Sequence, residues 1–202
     1  MTVPHIALLI GSGRRNRFAD HPARWLTARL AERRTITTSV IDIRDVELPF
    51  YDADTPPAKA RRDYRGDAQL ERFATAVDAA DGFVLLTPEY NHGYPARLKN
   101  AIDHVFVEFN RKAIGFVGYG NVGGARAIEQ LRSVSIELEM ASSRHSVNIM
   151  GETMAALRDP HADAEEIFSP YGLRLDAMLD DLTWWAAALA EARRADGTPP
   201  AR

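Results

Sequence analysis

Between Phe83 and Asp103 the chain reads FVLLTPEYNHGYPARLKNAID. Pro88 and Pro95 fix φ and remove backbone donors at the two ends of a short polar and aromatic segment. Glu89, Tyr90, Asn91 and His92 between them keep their N–H groups. A row of oriented amides at the carboxyl end of a strand suits an electron-rich planar or anionic ligand. His92 stands in the same loop and is a candidate to touch substrate, against the commoner role of a loop histidine as bystander. A second stretch, Gly11-Ser12-Gly13-Arg14-Arg15-Asn16-Arg17-Phe18, follows an apolar run and precedes a helix start. Glycines let a backbone approach a phosphate closely, and a helix N-terminus favours negative charge. Ser12, Arg14 and Arg17 add donors. The plainer reading of these arginines is a solvated turn.

A third stretch, Gly118-Tyr119-Gly120-Asn121-Val122-Gly123-Gly124, spells GxGxxG between a strand and a helix. A dinucleotide fingerprint of that form needs an acidic residue at a strand end about twenty residues later. Glu137 and Glu139 instead fall inside a helical pattern. In the first loop Asn16 occupies the third-glycine place. His161, Asp163, Glu165 and Glu166 are scattered without the spacing of a metal site, and a solvated loop explains them.

The elements that must hold these loops follow from periodicity. HIALLI from His5 to Ile10 is continuously apolar, as in a strand covered on both faces. A helix enters near His21-Pro22, with Trp25, Leu26 and Leu30 at helical spacing. Thr35–Ile43 is β-branched and predicts a second strand. Asp45–Pro57 is a long loop, and Arg61-Arg62-Asp63-Tyr64-Arg65 reads as a solvated face or loop, with substrate entry or subunit contact the minority reading. Asp67–Ala80 predicts a helix with Leu70, Phe73, Ala74 and Val77 on one face, leading into the strand that ends at Pro88. After Pro95, Leu98, Ile102 and Val105 line a helix face. Lys99 and Asn100 read as braces for the loop, and His104 as a partly exposed helix residue. Ala113–Val117 predicts a fourth strand, Gly123–Met140 a helix striped by Ile128, Leu131, Val134 and Leu138, and Ser146–Met150 a short fifth strand. Gly151–Tyr171 has no clear pattern. Leu175–Arg194 predicts the last helix, with Trp184 and Trp185 as packing anchors pointing in different directions, one of them available to a subunit interface.

Alternating strands and helices predict an α/β fold, a five-stranded parallel sheet of order 2-1-3-4-5 covered on both faces. In that order the connections after the first and third strands diverge at the switch point, so the glycine and arginine loop would face the proline-bounded loop across one crevice. The expected organisation is one domain over residues 1–194 and a frayed tail over 195–202.

Composition narrows the chemistry. The chain has 202 residues, 46% hydrophobic and 26% charged, with a formal net charge of −3, which supplies no basic field for nucleic acid or an anionic membrane. No cysteine is present. Disulfides, thiolate metal sites and thiol redox chemistry are therefore excluded, and any redox work must come from a bound cofactor. No basic leader precedes the apolar run at Ile6 and no apolar stretch matches a membrane span, so the default expectation is a cytoplasmic protein.

TPEYNHGYPARLKNAID resembles the PEYN…P…LKNAID signature of the NADPH-dependent FMN reductases, a flavodoxin-like group that includes quinone, azo-dye, chromate and ferric reductases. GSGRRNRF and GYGNVGGARA extend the likeness over most of the chain. Gly93 departs from it, since the family usually has a small hydroxyl residue there. The resemblance implies a flavodoxin-like three-layer sandwich that binds FMN and takes electrons from NADPH or NADH. Hydride would pass to the flavin, then electrons to a quinone, azo compound, metal oxyanion or free flavin in a ping-pong cycle. It implies FMN contacts at Ser12, Arg14, Arg17 and Phe18 for the phosphate loop and at Pro88, Glu89, Tyr90 and Asn91 for the ring. Tyr119 and Gly120 would border the isoalloxazine, with the amides of Glu89 to Asn91 facing its N1 and O2. It also implies a homodimer or tetramer. Because the flavin carries the chemistry, no catalytic side chain is required. Two other readings use the same residues: a non-enzymatic FMN-binding electron carrier or redox sensor, and a nicotinamide-dependent dehydrogenase.

Overall fold

The computed structural model describes residues 3–60, 64 and 66–197. Five parallel strands form one sheet: β1 (His5–Ile10), β2 (Thr37–Asp42), β3 (Gly82–Pro88), β4 (Ala113–Tyr119) and β5 (Ala141–Ile149). Their spatial order is β2-β1-β3-β4-β5, as predicted. The two central strands that carry the functional loops pair in register from Ile6 with Gly82 to Ile10 with Leu86.

Side-chain alternation divides the core into two layers. Ile6, Leu8 and Ile10 of β1, Val84 and Leu86 of β3, and Val117 and Tyr119 of β4 face α1 (Asp20–Ala31) and a long helix at Gly172–Ala195. Ala7, Leu9, Phe83, Leu85, Ile114 and Phe116 point the other way. They pack against the helices at Ala68–Ala79, Ala96–Asp103 and Ala125–Glu137. In chain order these helices are α3, α4 and α5, preceded by a single-turn α2 at Pro57–Ala60. Short α6 (Gly151–Ala156) and α7 (Ala164–Phe168) lead to the long α8. Burial of each such Leu, Ile or Phe contributes roughly 1.5–3 kcal/mol. Among the described residues no helix is long and apolar enough to cross a membrane.

Four expectations change. The second strand stops at Asp42, because the Asp42 carboxylate accepts the Arg44 amide at 2.8 Å and starts a 3-10 turn at Ile43. The fifth strand begins five residues early, at Ala141. Its first half, ASSRH, is polar because β5 is an edge strand, and the Arg132 guanidinium holds it by donating to the carbonyls of Ser143 and Arg144. The helix expected from Gly123 starts at Ala125, since Gly123 and Gly124 take φ of 65° and 70°. Trp184 and Trp185 are not core anchors: they are 64% and 41% exposed and meet edge to face, with centroids 4.9 Å apart. The expectations for residues 61–63 and 65, and for the tail beyond residue 197, lie outside the described residues.

Candidate functional site in the crevice beyond β1 and β3

The carboxyl ends of β1 and β3 are adjacent, and the loops that leave them converge. Gly11 donates to the Leu86 carbonyl at 2.8 Å, which ties the first loop to β3 at its root. A Cβ on Gly11 would stand 2.8 Å from Leu98 Cδ2, so the loop can run this close to α4 only with glycine there. One residue further, the buried Ser12 hydroxyl meets the Tyr90 hydroxyl at 3.1 Å. The Arg14 guanidinium lies 5.8 Å from the Tyr90 ring centroid. Two stretches separated by some seventy-eight positions thus become one surface.

Arg17 has a different place from Arg14. It is buried, and its guanidinium forks onto the Asp42 carboxylate, reaches Asp20 at 2.8 Å and also donates to the Ser12 carbonyl. Burial alone would lower the Arg17 pKa, but the hydrogen bonds to Asp42 and Asp20 more than offset it and hold the group charged. Asp20 is desolvated too, yet Arg44 and Arg17 keep its carboxyl below the usual range. Arg17 therefore braces the loop from beneath. Because it draws the Ser12 carbonyl inward, the trans peptide sends the Gly13 N–H the opposite way. Among the described residues, none of the amides from Ser12 to Asn16 has a protein acceptor.

Beyond Pro88 the chain makes a two-residue hairpin. Tyr90 and Gly93 exchange hydrogen bonds of 2.8 and 2.9 Å, and the residues between them, Asn91 and His92, have φ of 50° and 67°. Two positive φ values in a mutually bonded pair are the mark of a type I′ turn. This corrects one expectation. The Glu89 amide donates to the Tyr119 carbonyl and the Tyr90 amide to Gly93, so neither is available to a ligand. The Asn91 and His92 amides have no protein acceptor among the described residues.

The hairpin is held from the side by α5. The Glu89 carboxylate, 8% exposed, accepts the Arg126 amide at 3.1 Å and pairs with its guanidinium, so it caps the start of that helix. Gln130 donates to the His92 carbonyl at 2.9 Å. A Cβ on Gly93 would stand 3.1 Å from Gln130 Oε1, so the glutamine amide fills the space beside this glycine.

The GxGxxG loop owes its glycines to packing. A Cβ at Gly118 would be 2.6 Å from the Gly123 carbonyl, and one at Gly123 would be 2.6 Å from Asn148 Cβ. The amides of Gly123, Ala125 and Ile128 are bonded within the loop and helix. Gly120, with φ of 151°, lies beside Glu89 at the edge of the hairpin. Tyr119 turns away from it. Its ring packs 5.3 Å from Phe18, which in turn stacks on His21. Burial pushes the Tyr119 phenol upward, so it remains a proton donor near neutrality.

Sequence reasoning found the two loops and missed what supports them. Asp42, Glu89's role as a cap, Gln130 and Arg97 all matter through neighbours distant in sequence. Arg97 lies over Gly13, where a Cβ would be 2.6 Å from its Cδ, and it donates to the Val46 carbonyl. Its place in the family-like motif is the one signal that could have drawn attention to it.

Residues 4–153 match the family described as NADPH-dependent FMN reductase. An NAD(P)H-dependent FMN reductase of Schizosaccharomyces pombe is 34% identical over 137 residues, 68% of each chain. A quinone reductase of Escherichia coli K12 is 30% identical over 161 residues, 77% of this chain and 81% of that one. Among solved structures, the flavoenzyme NAD(P)H:(acceptor) oxidoreductase FerB from Paracoccus denitrificans superposes with a TM-score of 0.67 at 22% identity, covering 92% of this chain and 98% of the other, which establishes a shared fold. Sheet order, converging loops and sequence likeness agree: the chain belongs to the NADPH-dependent FMN reductase family and is an oxidoreductase of flavodoxin-like fold.

Proposed function

We propose that this chain binds FMN across the loops after β1 and β3 and uses it to carry electrons from NAD(P)H to a quinone or a similar small acceptor, in alternating half-reactions. The observation that carries the reading is the set of donors in that crevice that have no protein acceptor among the described residues. The amides of Ser12 to Asn16, the amides of Asn91 and His92 and the exposed Arg14 all offer protons without a protein acceptor beside them. Such a set fits a phosphate at one end and an electron-rich ring edge at the other.

Bound FMN would supply the hydride chemistry, accepting two electrons from the nicotinamide and returning them to the acceptor. The protein's part is to hold and orient. Ser12, Gly13 and Arg14 bind the phosphate, and Arg17 keeps their peptide planes turned outward. Pro88 and the Glu89 to Arg126 pair fix the approach to the hairpin. Tyr90 forms its wall, and the Asn91 and His92 amides face the polar edge of the ring. Gly120 leaves room beside Glu89. His92 projects where an acceptor would arrive. The same reading includes a homodimer. The apolar groove of about 450 Å³ beside α4 and α5, lined by Ile102, Val105, Phe106, Val134 and Leu138, supports it, together with Ile136 at 74% exposure.

An absorbance spectrum of the purified protein loaded with FMN, taken before and after anaerobic NADPH, tests the proposal. Flavin bands that bleach with NADPH or NADH and return on addition of a quinone are the expected result. Binding without bleaching would leave an electron carrier. Failure to bind FMN at all would sink the crevice assignment.

A further inference from the structure

The Tyr119 hydroxyl is an anomaly inside the crevice. Tyr119 closes β4, and strand alternation puts its side chain on the α1 face of the sheet, beneath the loop after β1. The residue is 3% exposed, and its hydroxyl is buried with no hydrogen-bond partner among the described residues. Ser12 stands close enough to influence it, but without the geometry of a hydrogen bond, and the Ser12 hydroxyl is engaged with Tyr90. Arg14, Arg17 and Tyr90 lie near enough to act on it electrostatically. A buried phenol left unsatisfied costs free energy, so its persistence calls for a partner.

The character of that partner follows from counting protons. Ser12, Tyr90 and Tyr119 bring three hydroxyl protons together, and the Ser12 to Tyr90 contact uses one of them. Two remain, beside the five unpartnered amides of Ser12 to Asn16 and the cationic Arg14. Arg17 is already consumed by Asp42, Asp20 and the Ser12 carbonyl. An excess of donors around one buried hydroxyl is met by a group with several acceptor oxygens and negative charge. Of the groups around Tyr119, Phe18, Ser12, Arg14 and Arg17 belong to the loop after β1, while the hairpin contributes Tyr90 at its base and neither residue of its tip.

We propose that Tyr119 is a phosphate ligand: its hydroxyl donates a hydrogen bond, from the floor of the crevice, to the phosphate monoester of the bound flavin nucleotide. The inference rests on the FMN reading above and moves Tyr119 from the border of the isoalloxazine to the opposite end of the cofactor. It makes Ser12, Tyr90 and Tyr119 a row of hydroxyls supplied by the ends of three neighbouring strands.

Tyr119→Phe tests this, because it deletes the hydroxyl and keeps the ring against Phe18. Affinities for FMN and for riboflavin are read by quenching of flavin fluorescence, and melting temperature is read in phosphate-free buffer and with inorganic phosphate. Loss of a hydrogen bond to a charged group should weaken FMN about ten- to hundredfold while riboflavin changes less than about twofold. The apo variant should melt higher than the apo wild type, since an unsatisfied buried group is gone, yet gain less from phosphate. That opposition of stability and affinity is a signature that a structural tyrosine would not give. Equal weakening of FMN and riboflavin would assign the hydroxyl to the ring or ribityl chain and overturn the proposal. Unchanged FMN affinity would do the same, assigning it to a bridging water. If the wild type binds neither flavin, the FMN reading fails on its own. The phosphate melts then decide the anion contact: a smaller gain in the variant sustains it, and equal gains overturn it.

Discussion

His92 occupies a backbone conformation that glycine adopts freely and histidine does not, with φ of 67° at the second central position of a two-residue hairpin. Asn91 before it is among the few residues that tolerate the left-handed region. His92→Gly should therefore stabilise the protein by about 0.5–1 kcal/mol in urea unfolding, relief of the positive φ outweighing the extra freedom that glycine gives the unfolded chain. Gly93 is coupled to α5 in a way that invites a double-mutant cycle. Gly93→Ser alone must displace the Gln130 amide, because a Cβ would stand 3.1 Å from Oε1, and should cost about 1 kcal/mol. With Gln130→Ala in the same chain the serine gains room, and a coupling of about 0.5–1.5 kcal/mol in thermal or chemical unfolding would confirm it. Strict additivity would show that Gln130 does not hold that space. At this scale the sequence was only half legible. The loops announce themselves through proline and glycine, whereas the I′ geometry and the glutamine that fills the Gly93 space depend on a helix some forty positions away.

At the scale of elements, the loop after β1 is set by an ion cluster that ties α1 to the end of β2. Arg17 reaches Asp20 on α1 and Asp42 on β2, and Arg44 reaches Asp20 at 2.9 Å. Arg17→Met would leave two carboxylates facing a buried methyl group. Both keep some solvent contact, which discounts the usual penalty for breaking a buried pair to about 2 kcal/mol. Arg17→Lys should recover little of it, because one ammonium cannot reproduce a fork onto Asp42 plus bonds to Asp20 and Ser12. The pH dependence has a definite sign. Asp20 is held below its ordinary value near 3.8, so its contribution is present above that pH and is lost as pH falls through the depressed value. Acid unfolding followed by circular dichroism should show a shallower loss for Arg17→Met than for the wild type. The sequence could name Arg17 as a donor but not choose its acceptor. Asp42 becomes its neighbour only when β2 docks at the outer side of β1. β5 was half hidden for a related reason, since an edge strand with polar residues facing outward lacks the apolar run that reveals β1, β3 and β4.

For the molecule as a whole, the amino ends of the strands carry a pH response of their own. Lys112, 4% exposed at the foot of β4, donates to the carbonyls of Val77 and Asp78 at 2.9 and 2.7 Å and so closes the end of α3. Burial lowers its pKa to about 8. The unfolded chain therefore binds more protons than the folded one between about pH 8 and the ordinary value of 10.5, and stability rises with pH across that window. The span corresponds to about 3 kcal/mol at most. Chemical denaturation from pH 7 to 10 should show this rise in the wild type and lose it in Lys112→Met.

The donors of the crevice have a consequence for the life of the protein in a cell. Without an acceptor-rich ligand, the amides of Ser12 to Asn16 in the loop after β1 have no protein acceptor among the described residues and the buried Tyr119 hydroxyl is left unpaired, and that loop fastens α1 to the sheet. A ligand that binds only the folded chain shifts its stability by about 2.7 kcal/mol at a hundredfold excess over its dissociation constant, and degradation follows the unfolded fraction. The amount of this enzyme should accordingly track the supply of vitamin B2. In a riboflavin-requiring host moved to limiting riboflavin, its half-life should shorten without any change in its synthesis, and replenishment should restore it, so that turnover itself matches the enzyme to its cofactor.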